Sequence, residues 1–360
     1  MKTLAYRLDQ NDIKLRLVED KLLTQPDSPR LNEWMLRLLR HREKLLLFNQ
    51  KYWGRLHWKE WRVHGDRDSK FFHQRATTRR KKQMILRLKN DCGMWIDNLQ
   101  DIATKLVSDY KARFTATNRG HDDLMEVKVP KVITDTDNME LMKLPEIDEV
   151  KQALFAIDSN KKSGPDGFGA GFFKHYWLII KHDFYHCILE FFRHGKLLKQ
   201  INHTFIALIP NIENAIQTQH FRPISLCNMI YKIISKLLVN RLRPLLHKII
   251  LPTQSAFVPG SAIHDNILIT HEIMHKFKHT RGKTAWFTLK LDMKKAYDRL
   301  EWNFIEICMQ RFGFHSKWIR WLMECIKTTS YSVLINGEPM VSSGPLAEFD
   351  KGTPCHHTFL

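Results

Sequence analysis

Leucines and tryptophans recur at helical spacing through residues 1–62. Leu15, Leu22 and Leu23 lie on one side of a first segment. After a break at Gln25–Pro29, Leu31, Trp34, Met35, Leu38, Leu39, Leu45, Leu46 and Trp53 continue the period. Two amphipathic helices are predicted, with basic residues between the apolar ones. The pattern changes at residue 83. Apolar and basic residues alternate toward Asn90-Asp91-Cys92-Gly93, and Met94-Trp95-Ile96 follow, which reads as a β-hairpin. Residues 98–114 are helical again, and residues 121–145 turn acidic and aperiodic, so they read as a linker. From Glu146 on, helical stretches (146–158, 172–194, 228–249, 260–280) alternate with short apolar strands (204–209, 285–291, 331–335). That alternation predicts an α+β domain. The expected division is a basic helical region with a small hairpin over 1–120, a linker over 121–145, and the α+β domain over 146–360.

Composition narrows the partners. Hydrophobic residues make up 43% of the 360, enough to bury a core and to exclude wholesale disorder. Lys and Arg outnumber Asp and Glu 57 to 38, a formal charge of +19. Such an excess points to a polyanion, nucleic acid first. Residues 1–120 hold 27 of the basic and 14 of the acidic residues, so the excess is concentrated there. Its densest run is Arg75, Arg79, Arg80, Lys81 and Lys82, a candidate sequence-independent RNA contact, with nuclear import as an alternative use. None of Cys92, Cys187, Cys227, Cys308, Cys325 and Cys355 forms a C-x-x-C pair, which argues against a zinc ribbon or a redox motif and for reduced thiols. The first residues lack a signal-peptide core, and no run of about 18 apolar residues occurs. The expectation is an intracellular protein, nuclear or cytoplasmic, not secreted and with no membrane partner.

Candidate chemistry sits in TAWFTLKLDMKKAYDRLEW (284–302), where an apolar strand, Trp286 to Leu291, delivers Asp292 before a helix begins. Nucleotidyl transfer needs carboxylates on rigid elements to hold divalent ions against the attacking and leaving oxygens. Standing alone, an Asp after a strand reads as a helix cap rather than a metal ligand. The wider pattern decides. Asp292, Met293, Lys295, Ala296, Tyr297 and Asp298 resemble motif A of reverse transcriptases, and four other blocks occur in family order. HGDRDSKFFH (64–73) resembles a stretch ahead of the fingers in plant LINE-like polyproteins. NKKSGPDGFGAGFFKHYW (160–177) resembles the block before the fingers. TFIALIP with HFRPISLCNMIYKIISKLLVNRL (204–242) resembles the fingers hairpin and the helix after it. QSAFVPGSAIHDNIL (254–268) resembles the next block. The chain is thus similar to non-LTR, LINE-like retrotransposon reverse transcriptases over roughly residues 50–340.

That resemblance implies fingers and the start of a palm in a right-hand polymerase fold, RNA and DNA as template-primer, and Mg²⁺ as cofactor. It makes Asp292 the first metal ligand and catalytic carboxylate. It sets Tyr297 under the incoming sugar and Arg222, in R-P-I-S, on the triphosphate. A guanidinium fork suits phosphate oxygens. The sequence also departs from the family. No aromatic-x-Asp-Asp follows Asp292, and the acidic residues beyond Asp298 are Glu301, Glu306, Glu324, Glu338, Glu348 and Asp350. Asn211 stands where the family has Lys after L-I-P, Ser261 where it has Arg, and Asp350 where it has the Arg of R-Q-G-D-P. Thumb, endonuclease and RNase H regions are not recognised. The expectation is a truncated, degenerate polymerase fragment, inactive alone and not binding Mg²⁺ productively, with residues 340–360 poorly ordered. The alternative is a non-catalytic nucleic-acid-binding remnant.

Overall fold

The computed structural model describes residues 2–56, 74, 77–78, 81, 83–115, 129–251, 253–254, 263–279, 287, 289, 291 and 300–340. By packing, the chain divides into two units, Met1–Met84 and Ile85–Leu360. The boundary therefore falls ahead of the small hairpin, not near residue 120.

The first unit is a helical hairpin. Helices α1 (Lys2–Thr24) and α2 (Pro29–Leu56) flank the predicted break, with Pro29 at the first helical position, where its missing N–H costs nothing. Leu15, Val18 and Leu45 are buried in the seam. Asn11 donates to the Leu38 carbonyl (3.2 Å) and Arg42 pairs with Asp12 at 2.6 Å. Two helices offer one seam only, so apolar positions off it are wet: Leu23, expected beside Leu15, is 82% exposed.

The second unit opens with β1 (Leu88–Lys89) and β2 (Trp95–Ile96), antiparallel as predicted. The Asn90 side-chain oxygen accepts from the N–H groups of Cys92 and Met94, and Gly93 takes φ +80° to close the turn. In α3 (Leu99–Phe114), Ile102, Leu106, Tyr110 and Phe114 form the buried stripe at spacing four. Helix α4 (Asp135–Met142) lies inside the span read as a linker. Its eight residues are too few to display a period, but its cap is complete. The Thr134 hydroxyl accepts from the Asp137 N–H (3.2 Å), and the Asp137 carboxylate accepts from the Thr134 N–H (3.0 Å). Leu141 is buried, and Asn138 joins the Gly313 carbonyl and the His315 N–H, each at 2.8 Å.

Helices α5 (Ile147–Phe155), α6 (Ala170–His175), α7 (Trp177–His194) and α8 (Met229–Leu242) follow, then α9 (Leu246–Ile249) and α10 (Ile263–His279). The stretch expected as one helix over 172–194 is divided at Tyr176, which ends α6 and caps α7. Helices α11 (Trp302–Phe312) and α12 (Ser316–Lys327) supply the deeply buried Trp302, Trp318 and Trp321.

A four-stranded sheet has the order β4-β3-β5-β6. β3 (His203–Pro210) pairs antiparallel with β4 (Phe221–Cys227) and parallel with β5 (Ser330–Ile335); β5 turns through Asn336-Gly337 into β6 (Glu338–Met340). One face packs on the core through Ile206, Phe221, Cys227, Tyr331, Val333 and Ile335. The strand expected over 285–291 is not found at its described positions. Phe287, Leu289 and Leu291 would share one face of such a strand, yet they are exposed and no described strand pairs with them. The expected disorder of 340–360 concerns residues of which all but Met340 lie outside those described.

The base of the β3–β4 hairpin is fixed by Asn228, 5% exposed between β4 and α8. Its side chain makes no cap bond to α8. The amide nitrogen instead donates to the carbonyls of Gln200 (2.9 Å) and Ile201 (3.0 Å), and its oxygen accepts from the Asp166 N–H (3.1 Å). Gly164 lies so close that a Cβ there would sit 2.4 Å from the Asn228 backbone nitrogen. Asn202, fully buried, donates to the Thr328 hydroxyl (2.8 Å), accepts from that of Thr329 (3.2 Å), and its carbonyl receives the Ser330 N–H.

This packing makes Asn228 and Gly164 sensitive to substitution. Asn228→Ala should lower unfolding free energy by about 2–3 kcal/mol in urea melts, the sum expected for three partly buried hydrogen bonds. Asn228→Asp should also destabilise, although Asp is ordinarily as good an N-cap as Asn, because a carboxylate would face two carbonyls; a neutral Asn228→Asp would contradict the bonding described. Gly164→Ala should cost about 2 kcal/mol or more through overpacking.

The cap of α4 brings a sensitivity to acid. Lys248, bonded to both Asp137 oxygens (2.9 and 2.8 Å), and then the Thr134 N–H and hydroxyl hold the Asp137 carboxyl down to about 2. A depressed carboxyl contributes stability fully above its unfolded pKa, near 4, and loses it as pH falls through about 2. Thermal melts between pH 4 and 2 should therefore fall more steeply for the parent than for Asp137→Asn.

Candidate functional site

The β3–β4 hairpin carries Arg222. Its first strand is rich in β-branched and aromatic residues (Thr204, Phe205, Ile206, Ile209), which suit a pleated, half-buried surface. β4 is the edge of the sheet. Pro223, opposite Leu208, is tolerated there because an edge strand can lack an N–H on its open side. Across the connecting loop Asn211 donates to the His220 carbonyl (2.8 Å), and Thr218–His220 form a 3-10 turn.

The hairpin tip is braced from outside. The Lys89 N–H donates to the Ile216 carbonyl (2.7 Å), so β1 is bonded to the loop. The Thr218 hydroxyl donates to Asp109 in α3 (2.6 Å), and the Tyr110 hydroxyl to the Phe221 carbonyl (3.3 Å). Asp109 also accepts from Lys105 (2.8 Å), whose other partner is Asp91 in the β1–β2 turn (2.6 Å). The two bonds raise the Lys105 pKa and keep it charged.

Alternation turns every second hairpin residue away from the core. Arg222 is exposed on that outer face, opposite Ile209, with Ile209 41% and Ile224 38% exposed. Among the described residues no carboxylate pairs with Arg222. The result is an open, partly apolar face carrying an unneutralised guanidinium, an arrangement that can accept phosphate oxygens beside a flat hydrophobic group.

A second feature of this face is not legible in the sequence. His203 shares hydrogen bonds with the Ser330 hydroxyl through Nδ1 (2.8 Å) and with the Ser332 hydroxyl through Nε2 (3.1 Å). Burial pushes the His203 pKa below its ordinary value, so the ring is neutral at pH 7. The signal, two serines in alternation on β5, has meaning only once β5 lies parallel to β3.

Of the other sequence-predicted residues, Lys81 is exposed in the first unit. Asp292, Tyr297, Arg75, Arg79, Arg80 and Lys82 lie outside the described residues, as do the block 64–73 and Ser261. Asn211, in the place of a family lysine, is exposed at the hairpin tip. Among the described residues no group of three His, Cys, Asp or Glu side chains could hold a metal ion. Among them, too, no helix is long and apolar enough to cross a membrane.

Comparison with known proteins adds the family. Residues 209–343 match the reverse transcriptase (RNA-dependent DNA polymerase) family. That span runs from the end of β3 through Arg222 to β6 and includes Asp292 and Tyr297. Over 272 residues, 75% of its length, the chain is 27% identical to the transposon TX1 uncharacterized 149 kDa protein of Xenopus laevis. It spans 21% of that protein's length, about a fifth. Residues 209–343 are therefore a reverse-transcriptase segment, and the chain is a relative of the reverse transcriptases of non-LTR, LINE-like retrotransposons.

Proposed function

We propose that the chain is the nucleotide- and template-holding part of an RNA-directed DNA polymerase of a LINE-like retroelement. The observation that carries this reading is Arg222, exposed and without a carboxylate partner among the described residues, on the outer face of a braced hairpin within the span that matches the reverse-transcriptase family. In this reading β3 and β4 are fingers, β5 and β6 begin the fingers-palm junction, and Arg222 receives the triphosphate. Asp292 is the first metal ligand, and Tyr297 lies under the sugar. Arg75, Arg79, Arg80, Lys81 and Lys82 contact RNA through phosphate, independent of sequence.

Mg²⁺ would supply charge neutralisation at the reacting phosphate. Two ions about 4 Å apart need several shared carboxylate oxygens. Within these 360 residues the resemblance identifies Asp292 alone, and Asn211 removes a cation that the family presents to phosphate. The 360 residues by themselves are therefore proposed to bind template and nucleotide without extending a primer. A second reading, nucleic-acid binding as the whole function, draws on the charge of +19.

Two measurements test this. Primer extension on an RNA template with Mg²⁺ and deoxynucleotides should give no product from the chain or from Asp292→Ala. Extension by the parent that vanishes in the variant would refute inactivity. Titration with a fluorescent deoxynucleoside triphosphate should show binding weakened by roughly tenfold or more in Arg222→Ala, as expected for losing a charge-assisted hydrogen bond. Equal affinity would leave Arg222 as a surface residue.

A further inference from the structure

The β1–β2 hairpin has a face that the nucleotide site does not use. Leu88 is buried and Ile96 half-buried toward the core. By alternation, Lys89 and Trp95, which are register partners, and Arg87 turn the other way. Trp95 is 43% exposed. The Arg87 guanidinium lies 4.3 Å from its ring centroid and Lys89 Nζ 4.9 Å. Neither cation is ion-paired among the described residues. The tryptophan is not required for packing, since Leu88 and Ile96 fill the inward side.

Lys89 also lines a cleft of about 360 Å³ between this hairpin, α3 and the β3–β4 loop. Lys105, Arg113, Gln217 and Gln219 line it too, with Asp91 and Asp109. Lys105 is neutralised by Asp91 and Asp109. Arg113 lies 4.9 Å from the Tyr110 ring centroid and has no carboxylate partner among the described residues. Lys89 therefore joins an exposed indole flanked by cations to a polar cleft that holds Arg113, three amides and the Lys105–Asp91–Asp109 cluster.

We propose that this face and cleft hold a single-stranded RNA segment, with one base stacked on Trp95 and phosphates on Arg87, Lys89 and Arg113. The chemistry is that of single-strand binding, in which an aromatic platform takes a base of any identity while spaced cations follow the backbone. Duplex RNA fits poorly, because its bases are already stacked and its phosphate rows offer nothing to the indole. A protein partner would need a larger apolar area than one indole. The site extends the template-holding reading and is tested apart from it, since neither primer nor nucleotide is required.

The test is fluorescence anisotropy of the full chain with a labelled 12-nucleotide oligouridylate across a salt series, beside a duplex RNA of equal length. Trp95→Ala should weaken single-strand binding about tenfold, a typical loss for one stacked base, with the salt slope unchanged. Trp95→Phe, which keeps a ring, should stay within about threefold of the parent. The combined Arg87→Gln, Lys89→Gln and Arg113→Gln variant should flatten the slope by about 2, close to 0.7 for each phosphate left without its cation. Matching thermal melts would establish that the variants are folded. Unchanged single-strand binding in both the Trp95→Ala and the triple variant would overturn the proposal. So would an equal loss on duplex RNA, or no RNA binding by the parent. Loss or retention of triphosphate binding in Arg222→Ala bears only on the nucleotide reading.

Discussion

The side-chain amide of Asn228 joins three chain segments distant in sequence: the glycine-containing turn at 164–166, the approach to β3 at 200–201, and the β4–α8 junction. An amide can do this because it carries donors and an acceptor on one short arm. Gly164 allows the approach, since any Cβ would meet the Asn228 backbone. Near the start of β3, Asn202 ties that strand to the end of α12 and to β5. Both flanks of the hairpin base are thus held by buried amides, which are costly to leave unpaired. The register of the sheet is set there.

From that base the hairpin extends to a tip that would otherwise be an unsupported loop. Bonds from Lys89, Asp109 and Tyr110 hold it. This explains why residues 85–115 pack with the later part of the chain. The sheet is consequently buried on one face, while on the other Ile209, Arg222 and Ile224 are exposed and their neighbours half-buried. Arg222, Ile209 and Ile224 remain exposed because nothing among the described residues covers them. A rigid hairpin with one wet face is a means of presenting a guanidinium at a fixed position, and pre-organised cations of this kind serve phosphate recognition well.

The charge of the protein is distributed between two kinds of setting. Some cations are neutralised within the structure: Arg241 forks onto Glu149 in α5, Lys248 onto Asp137, and Lys105 onto two aspartates. Those pairs fasten elements together. Arg87, Lys89, Arg113 and Arg222 have no carboxylate partner among the described residues, and each lies on exposed or cleft surface of the second unit. In the function proposed for the chain, a polyanion is the partner of such groups.

Several features were legible in the sequence from local physics. The break at Gln25–Pro29, the Asn90–Gly93 turn, the stripe of α3, and the strands over 204–209 and 331–335 follow from period, turn chemistry and side-chain shape, which act over a few residues. The reverse-transcriptase relation was equally legible, because ordered motifs survive where overall identity is low. Other features depended on contacts between distant residues. The α4 helix was hidden because two turns cannot display a period, and its stability comes from Asn138 reaching Gly313 and His315. The Asn336-Gly337 turn between β5 and β6 is, by contrast, a local signal. The His203–Ser330–Ser332 group needs a parallel pairing across more than a hundred residues. The sequence thus determined which segments can be helix or strand and which family they descend from. Only the tertiary structure decided which of the described cations meet a carboxylate and which face of the sheet is buried, since both depend on what distant parts of the chain place against them.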